Sequence, residues 1–222
     1  MSQTPLIPKQ TGSGSQVIRA VLRGGAGFAV VSVAGFAVWA FAGKWLHANI
    51  GEAGLYAACL ATFLGLSGVL LHPLMRGPHP LMQFYRIFTP AFFAYAFLWC
   101  AAWFAWRFGP GEWVGSLAGC VAFVAVTGWG FGNYHGFVKV CIAVFCCHSA
   151  GYFLGGKLMR WLSGPGGAAM LTGFSKDQLF LSAKLSWGLF YGLGFGAGIG
   201  YAFYTCQLPV APTASPVAGN QS

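Results

Sequence analysis

Lys184-Leu-Ser-Trp-Gly188-Leu-Phe-Tyr-Gly192-Leu-Gly194-Phe-Gly196-Ala-Gly198-Ile-Gly200-Tyr-Ala-Phe-Tyr-Thr-Cys206 decides how this chain is read. Gly188, Gly192, Gly196 and Gly200 recur every fourth residue, and Gly194 and Gly198 make a second such pair. In water, each glycine costs about 1 kcal/mol against alanine in a helix interior. In hydrocarbon, an unpaired backbone group is worse still, so the segment is expected to be helical all the same. Glycines four apart then line up as a bare groove against which another backbone can pack closely. Gly188, Gly192, Gly196 and Gly200 are the expected packing face.

Composition points the same way. The chain has 222 residues, 57% hydrophobic and 7% charged, where a soluble domain carries about 25% charged residues. So few charges cannot cover a water-facing surface, which makes the bilayer the solvent. The net charge of +9 would suggest nucleic acid in a soluble protein. Here the basic residues flank apolar runs, where they snorkel toward anionic headgroups, and no nucleic-acid partner is expected. The seven cysteines fall inside apolar runs without a CxxC pair, so they read as reduced packing residues rather than a disulfide framework.

Six spans are expected, at about 24–42, 53–71, 87–106, 113–132, 137–155 and 180–205, giving an all-α, polytopic integral membrane protein. Residues 1–23 read as a polar, basic N-terminal tail, 24–206 as the six-helix domain and 207–222 as a disordered Pro/Ala/Ser tail. Ala40-Phe41-Ala42 also has the form of a signal-peptidase site, but the leader is long for a signal peptide. The second span carries a small-residue stripe of Gly54, Ala58, Ala61, Gly65 and Gly68; the third is aromatic and holds Pro90 one turn inside its start. Residues 72–82, with three prolines, read as a stiff non-helical connector. Residues 157–162 read as a short interfacial helix before a Gly/Pro link. With the N-terminus cytoplasmic, Lys and Arg divide evenly between the two sides, so orientation rests on the first helix. A bacterial inner membrane is the default localisation.

Three short matches recur in order in the two halves. They pair Trp39-Ala40-Phe41 with Trp129-Gly130-Phe131, Cys59–Phe63 with Cys141–Phe145, and Tyr95–Cys100 with Tyr201–Cys206. Duplicated three-span units would be inverted in the membrane, with a binding site expected at the midplane between them. The spacings between the matches differ, and an alphabet of Ala, Gly, Phe and Leu produces such matches readily.

His148 is the sharpest polar residue, mid-span beside Cys146 and Cys147 and seven residues after Cys141. His148, Cys141 and Cys147 are the candidate pathway or metal residues, since thiol plus imidazole suits Zn or Cu(I). A site would need a third ligand such as Cys59 or Cys120, and a neutral histidine bonded to Ser149 or a carbonyl is the commoner arrangement. Glu52, Glu112 and Asp177 sit at helix starts, where carboxylates cap. No P-loop, nucleophile elbow or paired carboxylates occur, so the reading is not of an enzyme and no cofactor is required. The leading functional reading is a small-solute or ion transporter or channel. The alternatives are a scaffold or accessory subunit docking another membrane helix or a second copy, and a Cys/His metal- or haem-binding redox protein.

Overall fold

The computed structural model describes residues 14–209, and every regular element among them is helical. The order is α1 (Gly14–Ala37), a π-helical turn (Val38–Ala42), α2 (Gly43–Leu71), a 3₁₀ turn (His72–Leu74), α3 (Pro80–Trp106), α4 (Pro110–Phe131), α5 (Phe137–Leu162), a short α6 (Pro165–Met170) and α7 (Lys176–Cys206). Four helical segments among the described residues are long and apolar enough to cross a bilayer. The first is the 61-residue run Gly14–Leu74, which contains two of the expected spans. The glycine-rich α7 is not among them. The chain is an all-α, multi-pass membrane protein.

Several local expectations are corrected. α1 begins at Gly14, so residues 14–23, expected in the tail, are helical; residues 1–13 and 210–222 lie outside the described residues. Gly51, at φ 74° and ψ −179°, breaks α2 and separates Gly43–Ile50 from the rest. Beyond that break the chain runs antiparallel to α1: Gly27 lies against Leu70 and Leu71, and Gly35 lies against Phe63. The piece set apart is therefore Gly43–Ile50, largely exposed, Trp45 and Ile50 included. Lys157–Leu162 instead simply continues α5.

The 72–82 connector is helical at both ends, because Pro80 takes the first position of α3, where a missing N–H costs nothing. Pro90 is consequently well inside α3, not one turn from its start. It removes the hydrogen bond that the Arg86 carbonyl would otherwise accept. Glycine residues with positive φ, Gly109 and Gly132, bound α4. Ser175 and Gln178 close a capping box at the start of α7.

α7 is the centre of the bundle, packed on α1 along one side and α5 along another. On the α1 side, a Cβ at Gly196 would overlap the Gly24 carbonyl and one at Gly200 the Ala20 carbonyl. Gly192 faces Ala29 and Ser32, and Gly188 faces the Phe36 ring. On the α5 side, Gly194 meets the Cys147 carbonyl and Gly151, and Gly198 meets Val144. A second seam joins α4 to α3, where Gly111, Gly115 and Gly119 face Ala102, Trp99 and Tyr95. Aromatic rings fill what the seams leave open. Phe84, Phe88 and Phe92 stack at centroid distances of 4.8 and 5.2 Å, and Phe28 meets Phe63, Phe92 and Phe195 within 5.8 Å.

Candidate functional site

His148 lies at mid-helix in α5, fully buried where α3, α5 and α7 converge. Its ring is caged by Tyr95 (5.4 Å), Tyr191 (5.5 Å), Phe195 (5.1 Å) and Tyr152 (5.9 Å, nearly parallel). The Tyr95 hydroxyl stands 2.7 Å from Nε2, and the Tyr191 hydroxyl donates to the Tyr95 oxygen at 3.1 Å. With Tyr191 donating to Tyr95, the Tyr95 proton is directed at Nε2. A neutral His148 then carries its own proton on Nδ1, where none of the described residues offers an acceptor. A buried donor left unpaired costs about 1–3 kcal/mol, so its place at the middle of the bundle calls for a reason.

Tyr152 links this cage to one end of the bundle. Its hydroxyl donates to Glu112 Oε1 at 3.2 Å, and its carbonyl accepts from Trp187 Nε1 at 2.9 Å. Glu112 also caps α4, accepting the Gly109 N–H through Oε2 at 3.2 Å. Glu52 pairs with Arg107 at 3.3 Å at the same end. There Lys184 sits 4.3 Å over the Trp39 ring and donates to the Trp39 carbonyl, within the π-helical turn. Toward the opposite end the interior is closed by Phe84, Phe88, Phe123, Phe195 and Phe203, all fully buried.

The expected site residues are only partly brought together. His148 is central, and its partner is Tyr95 rather than Ser149 or a main-chain carbonyl. Cys141 is buried and Cys147 half-buried on the same helix. Among the described residues, however, no three His, Cys, Asp or Glu side chains converge on one point. His148, Cys141 and Cys147 are thus not gathered as a three-ligand set in the described conformation. The hydroxyls of Tyr95, Tyr152 and Tyr191 went unrecognised, since Tyr95 reads in sequence as one more aromatic knob. The signal was there: a tyrosine in the middle of an apolar run carries a hydroxyl that needs a buried partner.

The repeat matches sit at unequal depths. Tyr95 is at the core of α3, while Tyr201 is near the end of α7; Cys59 is well inside α2, while Cys141 is in the first turns of α5. Compared with protein-family models, curated proteins and solved structures, the chain gives no significant match.

Proposed function

We propose that this membrane protein carries or conducts a small solute or ion past His148, between α3, α5 and α7, with the N-terminal end of α1 facing the cytoplasm. One observation carries the reading: a fully buried imidazole at mid-bundle, held by Tyr95 on Nε2 and left without an acceptor at Nδ1 among the described residues. Ionisable side chains inside a membrane bundle are costly and typically mark pathways. In that reading the described conformation is the closed one, with buried phenylalanines on one side of the histidine. The alternatives lose ground. Both glycine faces of α7 are covered by α1 and α5, so a scaffold docking through that helix has no free groove to use. A redox centre lacks its ligand set among the described residues.

The test is reconstitution into liposomes challenged with a panel of small neutral and ionic solutes, followed by light scattering and ion-sensitive dyes. Protein-dependent permeation of at least one solute is expected, falling about tenfold or more in His148→Phe if the histidine contributes 1.4 kcal/mol or more at the limiting step. Permeation no faster than in protein-free liposomes, for every solute, overturns the reading.

A further inference from the structure

We propose that the α2–α3 connector and the adjoining ends of α4 and α7 form a binding site for a phosphate-bearing anion, at the end of the bundle opposite Glu112. The reading stands whether or not the protein transports anything. Two cavities of about 340 and 230 Å³ adjoin there and share Gln83 as a wall. Arg76 and Asn133 line the first, and His79 and Arg86 the second.

The first cavity is built, not loose. Gln207 donates to the Leu74 and Phe203 carbonyls at 3.0 and 2.8 Å and accepts the Arg76 backbone N–H at 2.8 Å. Asn133, itself buried, donates to the Cys206 and Leu208 carbonyls at 3.1 and 3.0 Å. Its oxygen accepts the His135 N–H at 2.9 Å. Both amides are thus spent on fixing the walls, and the Arg76 guanidinium is held 5.0 Å over the Tyr204 ring.

The connector is also held in a costly shape. Gly77 adopts φ 109°, and His79, between Pro78 and Pro80, adopts φ 54°. A non-glycine residue in the left-handed region persists only where its surroundings impose it, and such positions cluster at ligand clamps. The Gln83 side-chain oxygen is buried without a partner at the wall the two cavities share. A flipped amide would present an N–H₂ donor there instead.

Charge selects the ligand. Arg19, Arg23, Arg76, Arg86 and Lys139 lie at this end of the bundle, and the three acidic side chains, Glu52, Glu112 and Asp177, all lie at the other. Neither Arg76 nor Arg86 has a carboxylate partner among the described residues. Guanidinium forks without an internal carboxylate are matched by phosphate oxygens. Leu81 and Met82 are exposed beside the arginines, Met82 at 75%. Acyl chains would cover them, so the headgroup of an anionic phospholipid fits the surroundings.

The experiment uses the full chain purified in neutral detergent, mixed with phosphatidylglycerol or phosphatidylcholine, with retained lipid counted by native mass spectrometry. Phosphatidylglycerol is expected to be retained preferentially, and Arg76→Gln/Arg86→Gln to lose that preference by about tenfold or more. Lys157→Gln/Arg160→Gln, at the opposite end, should leave it unchanged. Where the double variant fails to fold, Arg86→Gln alone reports, with a loss of about fivefold. If excess sodium phosphate displaces the lipid and raises the unfolding temperature by itself, the occupant is a soluble phosphate compound; if it does neither, the occupant is the lipid headgroup. Equal retention of the two lipids, or full retention of phosphatidylglycerol by the arginine variants, overturns the site.

Discussion

α7 and α2 each carry a stripe of small residues and meet opposite fates. The stripe is four apart throughout from Gly188 to Gly200 and alternately four and three apart from Gly54 to Gly68, yet each glycine of the Gly188–Gly200 series touches a neighbouring helix. In α2, Gly65 has nothing within van der Waals reach and Gly54 meets only Ile50 of its own helix. Gly68 alone is covered, by the Tyr85 ring. A small-residue stripe is thus permission for close approach and not its cause. What α7 has in addition is reciprocity: Gly24 answers Gly196, and Gly151 answers Gly194. Two backbones can interlock only where both are bare, because a full side chain on either side restores the usual 8–10 Å separation.

The strongest challenge to that contrast is Gly196→Leu, which forces a side chain into the Gly24 carbonyl. A loss of about 3 kcal/mol or more is expected. In a chain of this length that lowers the detergent unfolding midpoint by roughly 10 °C. An unchanged midpoint would mean that α1 does not lie against α7 in the membrane. Tyr95→Phe comes next, at about 1–3 kcal/mol, since it strips from His148 Nε2 its partner among the described residues and from Tyr191 its acceptor. A double-mutant cycle with Tyr191→Phe should be non-additive, and strict additivity would separate the two hydroxyls.

Gly65→Leu, the counterpart on α2, should fall within about 0.5 kcal/mol of the parent. A larger drop would reveal that the α2 stripe is covered by another chain in the working assembly. Smallest of all is Glu52→Gln, which breaks the exposed pair with Arg107. Its cost should not exceed about 1 kcal/mol and should shrink further with added salt.

Helix content was largely legible in the sequence, because each long apolar run has only one way to satisfy its backbone in lipid. The places where reading stopped short share a cause. Pro80 looked like a breaker but serves as the first helical residue of α3, a role fixed by where the preceding turn ends. The reversal at Gly51 was missed because a positive φ leaves no trace in composition. Within the candidate site, His148 stood out as a polar side chain at mid-span, whereas Tyr95, Tyr152 and Tyr191 come from different turns and helices. Their convergence is a product of the glycine seams, which bring α7 near enough to α5 for three rings to enclose the imidazole.

The π-helical turn at Val38–Ala42 has a mechanical corollary. Each widened turn holds an additional residue that a tighter helix could expel, and here the loosened Trp39 carbonyl is gripped by Lys184 of α7. Release of that grip would let the turn tighten and rotate Gly43–Ile50, with the break at Gly51 absorbing the change before the rest of α2. A lysine at the rim would then govern the azimuth of that short segment.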